Sequence, residues 1–188
     1  VKFLPTHTEV NPCTGKVFSI EMHRKSIPIG NPGDNIGLNI KNLNKNQMPK
    51  VGDVMVFKDD KTIGPSKLIT IQAQILEHPS DIKVGYCPVL FARTGRASCK
   101  IVDINWRMNK KETGGKKVEN PGLTKTNDMA ELVLMPLTPF CVDVFTNCEG
   151  LGRVAGFEGR SVNILGRVVA VSDEVPEKYL PTKKVKNA

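Results

Sequence analysis

Residues 68–76 read LITIQAQIL, and this stretch decides the fold class. From Ile69 to Ile75 every second residue is apolar, and the residues between them are threonine or glutamine. Successive side chains of a strand point to opposite faces of its sheet, so a period of two predicts a β-strand with one buried face. The run ends before His78 and Pro79, where proline interrupts the pattern.

Similar runs recur along the chain between short segments rich in glycine, proline and asparagine. The 16 glycines and 13 prolines supply frequent turn signals, and no segment shows the periodicity of a long helix. We therefore expect an all-β protein built as a barrel or sandwich. Besides 68–76, strands are predicted at 16–23, 35–40, 54–57, 88–92, 97–105, 130–135, 140–145, 153–157 and 162–171.

Composition excludes several classes of protein. Hydrophobic residues make up 39% of the 188 residues, which suffices for a packed core and argues against a chain disordered throughout. No apolar run approaches the roughly 18 residues of a membrane-spanning helix. Polar residues interrupt the first residues of the chain, so a secretory signal is not predicted either. We expect a soluble cytoplasmic protein without membrane contacts.

The cysteines and histidines give little support for catalysis or metal binding. The five cysteines are odd in number and form no C-x-x-C pair, so reduced and mostly buried thiols are expected. Cys99 and Cys148 are the candidate nucleophiles, but no histidine lies near either in sequence, and structural thiols are favoured. The three histidines lack the spacing of zinc ligands, and no metal site is predicted.

Two breaks in the strand pattern suggest a division into domains. The polar segment 59–67 is interpreted as a linker between a first unit, 1–58, and a second unit, 68–172. The remaining residues, 173–188, are expected to form a basic flexible tail. Within the second unit, 107–128 lacks apolar periodicity and is predicted to be a long exposed loop.

Charge is the first functional signal. The chain carries a formal charge of +8, and nine basic residues against three acidic ones place most of it in 93–125. Such a basic cluster on a β scaffold is typical of proteins that bind polyanions such as RNA, although a solvated lysine-rich loop is the alternative. Arg93 and Arg96 lie beside predicted strands, and arginine pairs with phosphate through two hydrogen bonds. The single Trp106 is expected at the rim or in the core, because one aromatic residue does not form a base-stacking platform.

Several segments resemble the elongation factor 1-alpha family of translational GTPases, in the family's order and close to its spacing. The matching segments are 21–23 (EMH), 32–42 (PGDNIGLNIKN), 78–79 (HP), 85–90 (GYCPVL), 99–100 (CK), 114–117 (GGKK), 130–133 (AELV) and 151–153 (LGR). It covers roughly residues 1–172. The sequence departs from the family at 153–158, where RVAGFE stands for the usual RFAVRD. Segments 44–56 and 146–151 are more similar to the divergent branch called elongation factor-like protein.

The resemblance implies a fold and a function. Members carry a G domain followed by two β-barrels and deliver aminoacyl-tRNA to the ribosomal A site. This chain would be a C-terminal fragment with two β-barrels of the translation elongation factor type, the first incomplete. GTP and Mg²⁺ would belong to the absent G domain, and this chain would hold no cofactor and hydrolyse no GTP. Its implied partners are aminoacyl-tRNA, the ribosome and a guanine-nucleotide exchange factor.

The resemblance also implies individual contacts. Arg24 and Asn35 match positions that border the aminoacylated 3′ end of tRNA in the bacterial relative, elongation factor Tu. The positions expected against the tRNA T-stem are Arg93, Thr94, Arg96, Glu158, Gly159 and Arg160. The basic residues expected to support this contact from the 107–128 loop are Lys110, Lys111, Lys116 and Lys117.

Alternatives remain open for both the residues and the function. Glu158 and Arg160 could instead form an ion pair that stabilises their turn. The chain could be a protein-interaction module for an exchange factor or the cytoskeleton, or part of a related release or rescue GTPase. An independent cysteine-dependent enzyme is the weakest alternative.

Overall fold

The chain folds into two compact units. A computed structural model describes residues 1–180, and the units comprise Val1–Ile63 and Gly64–Ala188. Strands make up 44% of the chain and helix only 4%, which confirms the expected all-β class. Within the described residues no helix is long and apolar enough to cross a membrane.

The first unit contains two small open sheets. Strands β1 (Lys2–Leu4) and β5 (Val54–Val56) pair antiparallel with each other. The other sheet has the order β3-β2-β4 and contains β2 (Lys16–Met22), β3 (Lys25–Ile27) and β4 (Gly37–Lys41). The buried apolar residues of this unit are few: Phe3, Leu4, Cys13 and Val56. Its sheets form no closed barrel, as expected for an incomplete one.

The second unit is a closed six-stranded barrel. Its ring runs β9-β12-β6-β14-β13-β8 and closes by pairing β8 with β9. The ring strands are β6 (Leu68–Ile75), β8 (Val89–Ala92), β9 (Gly95–Met108), β12 (Met129–Pro136), β13 (Arg153–Glu158) and β14 (Ser161–Ser172). The short elements are β7 (Ile82–Lys83), β10 (Val118–Glu119), β11 (Leu123–Thr124), α1 (Glu149–Gly152) and a 3₁₀ turn (Glu177–Tyr179).

The alternation in 68–76 determines which residues of β6 face the inside of the barrel and which face the outside. Ile69, Ile71, Ala73 and Ile75 on β6 are all buried, while the residues between them are half-buried. Leu132 of β12 and Val168 of β14, which pair with Ile71, and Ile164 of β14, which pairs with Ile75, are also buried, since paired residues of a sheet share a face. Closure removes the free edges that an open sheet of this size would expose.

The strand predicted at 140–145 is wrong. Phe140, Cys141 and Val142 are buried one after another, so they do not alternate between two faces. Their segment makes separate contacts instead of a ladder: the Phe140 carbonyl accepts from the Ser66 N–H, and the Phe145 N–H donates to the Val168 carbonyl. Phe140 and Val142 belong to the hydrophobic core of the barrel, and the segment covers the barrel as irregular structure.

The long exposed loop predicted at 107–128 is correct only in its middle, where residues 110–120 are exposed except for Thr113. Strand β9 continues to Met108, β10 and β11 lie within the segment, and Thr124 and Asp128 have no exposed surface. Hydrogen bonds between polar side chains order this segment, so it needs no periodic apolar face. Buried carboxylate and hydroxyl groups require hydrogen-bond partners, and these partners fix the backbone around them.

The expectation of a flexible tail fails over the first part of 173–188. The Tyr179 hydroxyl donates to Asp103 Oδ2 at 2.7 Å, and Lys178 Nζ lies 3.3 Å from the same oxygen. These contacts fix the 3₁₀ turn to strand β9. Residues 181–188 lie outside the described residues.

Candidate nucleic-acid interface

The residues expected to contact the T-stem lie at two opposite ends of the barrel. Strand β13 runs from Arg153 to Glu158, about 17 Å at the usual rise of a strand. Strand β8 is antiparallel to it, with Phe91 opposite Ala155, so the turn after Ala92 lies towards Arg153. We call this the Arg93 end, defined by Arg93, Thr94, Arg96 and Arg153. We call the other the Glu158 end, defined by His78, Glu158, Gly159 and Arg160.

At the Arg93 end, the two residues Arg93 and Thr94 form the turn between β8 and β9. Arg93 is exposed and adopts a positive φ of 54°. Its guanidinium lies over Gly150 of α1: a Cβ added at Gly150 would be 3.0 Å from Arg93 Nε and Nη2. The absent side chain at Gly150 therefore leaves room for the arginine.

Arg153 adds a third arginine that the sequence-based interpretation did not assign. It donates to Glu149 Oε1 and its guanidinium carbon lies 5.2 Å from the Phe145 ring centroid. Arg93, Glu149, Gly150 and Arg153 line a cleft of about 410 Å³. Arg153 belongs to the quoted LGR segment, and that resemblance was the signal that could have identified it.

Arg96 lies on the outer face of β9, opposite Phe91 of β8. Among residues 1–180, no carboxylate pairs with Arg93, Arg96 or Arg160, whereas Arg107 and Arg153 both have acidic partners. The Arg93 end therefore offers two exposed guanidinium groups without acidic partners, which suits contact with phosphate.

At the Glu158 end, one carboxylate oxygen receives two hydrogen bonds. His78 Nε2 lies 2.9 Å from Glu158 Oε2, and the Tyr86 hydroxyl lies 3.2 Å from the same oxygen. The His78 side chain is 6% exposed and that of Glu158 is 56% exposed. The ring of Tyr86 packs edge-on against that of His78, with centroids 5.2 Å apart.

The alternative that Glu158 forms an ion pair with Arg160 is wrong, because the partner of Glu158 is His78. The turn is formed by Gly159, with a φ of 59°, and Arg160, and it joins Glu158 directly to the start of β14. Glu158 turns instead to His78, 80 positions away in sequence. No local spacing predicts such a pair.

Burial and charge keep the Tyr86 hydroxyl protonated. Burial and then the charge of Glu158 raise the pKa of Tyr86 to about 12. Asn163 donates from Nδ2 to the Tyr86 oxygen at 3.4 Å and is 2% exposed. His78, Glu158 and Asn163 line a cavity of about 590 Å³ together with Glu77, Pro79, Ser161 and Val162.

The basic loop lies at the same end of the barrel as Glu158. Four neighbouring strands are paired at this end, through Met108 of β9, Met129 of β12, Gln74 of β6 and Leu165 of β14. Lys110 and Lys111 follow Met108 directly in the chain. Lys110, Lys111, Lys116 and Lys117 are all exposed. Lys117 Nζ lies 4.1 Å from the centroid of the Trp106 ring, and Trp106 is buried, at 8% exposure.

A buried carboxylate orders this loop. Asp128 accepts hydrogen bonds from Arg107 Nη1 at 3.0 Å and Asn109 Nδ2 at 2.8 Å, as well as from Thr124 and the Lys125 N–H. Burial raises the pKa of Asp128, but the hydrogen bonds outweigh this effect and hold the pKa below its usual value. The lysines are therefore presented on an ordered backbone.

Arg24 and Asn35, expected at the aminoacylated end of tRNA, lie at one end of the β3-β2-β4 sheet. His23 and Arg24 form the two-residue turn between β2 and β3, both with positive φ. Asn35 precedes β4, whose first residue, Gly37, pairs with Glu21 of β2. Both Arg24 and Asn35 are exposed.

The five cysteines form no disulfide among the described residues. Cys13, Cys99 and Cys141 are buried, Cys148 is half-buried and Cys87 is exposed. Burial raises the pKa of Cys99 to about 12, which leaves no thiolate for nucleophilic attack. Residues 1–180 contain no group of three or more histidine, cysteine or acidic side chains that could hold a metal ion.

Comparison with known proteins identifies the family. Elongation factor 1-alpha-A of Schizosaccharomyces pombe is 34% identical over 171 residues, which cover 90% of this chain and 36% of that protein. Elongation factor 1-alpha of Xenopus laevis is 35% identical over 158 residues, 84% of this chain and 34% of that protein. The chain thus spans about a third of the length of these relatives.

Solved structures show the same fold. Crystal structures of sup35 complexed with GMPPNP and with GDP superpose with a TM-score of 0.78 at 20% identity, over 92% of this chain and 40% of theirs. Residues 68–170 match the family described as GTP-eEF1A C-terminal domain-like. This match spans more than half of the chain and shows that the chain belongs to the GTP-eEF1A C-terminal domain-like family.

Proposed function

We propose that this chain is the tRNA- and partner-binding part of a cytoplasmic translation elongation factor that delivers aminoacyl-tRNA to the ribosomal A site in a GTP-dependent manner. The observation that carries the proposal is the Arg93 end, where Arg93 and Arg96 are exposed without acidic partners on a barrel of this family. GTP and Mg²⁺ would be bound by a G domain outside this sequence, and the chain itself would need no cofactor.

The geometry of the Arg93 end suits contact with the phosphate backbone of an RNA. Arg93 lies in a tight turn and Arg96 on a strand, so little backbone freedom is lost when they meet phosphate. A carrier that accepts many tRNAs should contact phosphates and A-form shape instead of base edges. Arg24 and Asn35 are proposed to border the aminoacylated 3′ end, where a cation meets the terminal phosphate and an amide meets the ester.

The proposal is tested by titrating the whole chain with aminoacylated and uncharged tRNA at two salt concentrations. We expect saturable binding that weakens steeply with salt, because each phosphate contact releases counterions. Aminoacylated tRNA should bind more tightly if Arg24 and Asn35 contact its 3′ end. Absence of saturable binding at low salt would contradict the proposal.

A second candidate function, contact with an exchange factor or another protein, is favoured by the first unit. Its exposed apolar side chains include Val10, Val51 and Phe57, at 87%, 92% and 80% exposure, and such side chains could contribute to a contact with another protein. Binding of a purified exchange factor to the chain without tRNA, lost in Phe57→Ser, would support this function.

A further inference from the structure

Residues 173–180, which we call the C-terminal strap, are joined to strand β9 at one carboxylate. The Tyr179 hydroxyl donates to Asp103 Oδ2 at 2.7 Å, and Lys178 Nζ lies 3.3 Å from the same oxygen. The other oxygen, Asp103 Oδ1, accepts from the Ile104 N–H at 2.9 Å. Both oxygens of the carboxylate are therefore engaged, and the strap depends on a single proton that Tyr179 donates.

The charges at this contact set the direction of the hydrogen bond. Burial raises the pKa of Asp103, but hydrogen bonds from Tyr179, Lys178 and the Ile104 N–H outweigh this effect and hold the pKa below its usual value. Burial also raises the pKa of Tyr179. At neutral pH a protonated hydroxyl thus donates to a charged carboxylate, and a negatively charged group at the same position would be repelled.

The strap has little structure of its own around this contact. Its 3₁₀ turn, Glu177–Tyr179, contains no buried residue, and Pro176 before it provides no side-chain cap. Two local hydrogen bonds close the turn, from the Tyr179 N–H to the Pro176 carbonyl and from the Leu180 N–H to the Glu177 carbonyl. A segment with few buried contacts opens at a low cost in free energy, so the Tyr179 hydroxyl becomes accessible without unfolding of the barrel.

The chain has one other tyrosine, Tyr86, and it is held very differently. Tyr86 packs against the core of the barrel, and its ring lies edge-on against that of His78. Its hydroxyl bonds Glu158, and its oxygen accepts from Asn163. Exposure of Tyr86 would require the barrel to open, whereas an enzyme can bind the segment around Tyr179 after local opening of the strap alone.

We propose that Tyr179 is a phosphorylation site and that its phosphorylation releases the C-terminal strap from Asp103. A protein tyrosine kinase would transfer the γ-phosphoryl group of ATP: the Tyr179 oxygen forms a bond to phosphorus, the bond from that phosphorus to the bridging oxygen breaks, ADP leaves, and the phenolic proton passes to the catalytic base of the kinase. The product has no hydroxyl proton to donate and carries a charge of about −2. It would face the Asp103 carboxylate, and Lys178, the cation that bonds this carboxylate, cannot balance both groups.

The first test locates the phosphate. A tyrosine kinase is chosen for its activity on a synthetic peptide with the sequence of the strap, DEVPEKYL, and is then incubated with the whole chain and ATP. We expect mass spectrometry to find phosphate on Tyr179 and at least about tenfold less on Tyr86, because the strap opens far more often than the barrel. Tyr179→Phe should take up almost no phosphate under the same conditions.

The second test measures release of the strap by hydrogen exchange. In the phosphorylated chain the amides of Tyr179 and Leu180 should exchange about tenfold faster or more, since a hydrogen bond to a charged acceptor is lost. The amides of β6 should keep their rates, which reports that the barrel remains folded. In Asp103→Asn the carboxamide removes the repelling charge and can donate to phosphate, so the acceleration should fall to about threefold or less. The matched control is Asp81→Asn, at an exposed aspartate outside this contact, which should leave the acceleration unchanged.

Each part of the proposal has an outcome that would overturn it. Phosphate on the synthetic peptide but not on Tyr179 of the whole chain would overturn the site. Equal incorporation at Tyr86 and Tyr179 would refute the argument that the strap opens by itself. Phosphorylated Tyr179 with unchanged exchange of the strap would refute release, and an equal acceleration in Asp103→Asn would refute repulsion by Asp103. These measurements involve no RNA, so their failure leaves the proposed tRNA binding untouched.

Discussion

Arg107 on β9 donates a 3.0 Å hydrogen bond to Asp128, a carboxylate with no exposed surface just before β12. The pair joins strands that are neighbours in the barrel and fixes the start of the basic loop. The Arg107 side chain is only 15% exposed, so the interaction is poorly screened by solvent. The absence of apolar periodicity in 107–128 thus reflects a polar core beneath the loop.

Removal of Arg107 should destabilise the barrel. In Arg107→Ala the Asp128 carboxylate remains buried without its cation, and the free energy of unfolding should fall by roughly 3 kcal/mol. Arg96→Ala, at an exposed arginine of the same strand, should change it by less than about 0.5 kcal/mol. Urea unfolding followed by tryptophan fluorescence measures both, and equal effects would contradict a structural role for Arg107.

Asp128 should contribute to acid sensitivity. A carboxyl whose pKa is lower in the folded than in the unfolded state stabilises the fold above its unfolded pKa. That stabilisation is lost as the pH falls through the lower, folded pKa. Asp128→Asn should therefore be less stable than the wild type at pH 7, and the difference should narrow below about pH 4. A difference that stays constant between neutral and acid pH would exclude this origin.

Gly152 should tolerate no side chain. A Cβ at this position would overlap the Phe145 backbone and lie 2.7 Å from its nitrogen. Gly152→Ala should lower the free energy of unfolding by roughly 2 kcal/mol or more, because the obstructing atoms belong to the backbone. The matched control is Gly64→Ala, where an added Cβ meets nothing within 4 Å and φ is not positive. The control should be neutral or slightly stabilising.

The two units should differ in hydrogen exchange. The barrel buries a continuous core that includes Ile69, Ile71, Leu132 and Ile164, while the first unit buries only four apolar residues in two open sheets. Amides of β6, β12 and β14 should exchange much more slowly than those of β2 and β4 in the monomer. Pairing of the open edges between two copies would also protect the first unit, so the measurement is made at concentrations where the chain is monomeric. Equal protection there would contradict the prediction.

Strands with one buried face could be predicted from sequence, whereas long-range polar contacts could not. The alternation in 68–76 predicted β6 because side-chain direction along a strand depends only on local periodicity. The apolar run at 140–145 misled the same reasoning, since consecutive buried residues can cover a barrel without forming a ladder.

The candidate site shows the same limit. Arg93 and Arg96 could be selected by charge and resemblance, but the pairing of Glu158 with His78 joins residues that only the closed barrel brings together. Asn163 carried no signal in sequence, because its notable feature is a buried Oδ1 that has no hydrogen-bond partner within residues 1–180.

The Arg93 end and the basic loop make separable contributions to tRNA binding. Replacing Arg93 and Arg96 together by alanine should weaken binding similarly for all tRNAs and reduce the slope of log affinity against log salt by roughly 1 to 2 units. For comparison, Lys110, Lys111, Lys116 and Lys117 are replaced together by alanine. The affinity for tRNA should then fall by less per replaced residue. Arginine binds phosphate through two hydrogen bonds, and Lys117 is already engaged over the Trp106 ring.

Both sets are measured by anisotropy titrations with one tRNA at several salt concentrations. The arginine pair and the lysine set lie at opposite ends of the barrel, so their effects on the free energy of binding should add. If the lysine set lost more affinity per residue and the arginine pair lost none, the tRNA contact would be assigned to the Glu158 end instead. The Arg93 end would then be left without its proposed role.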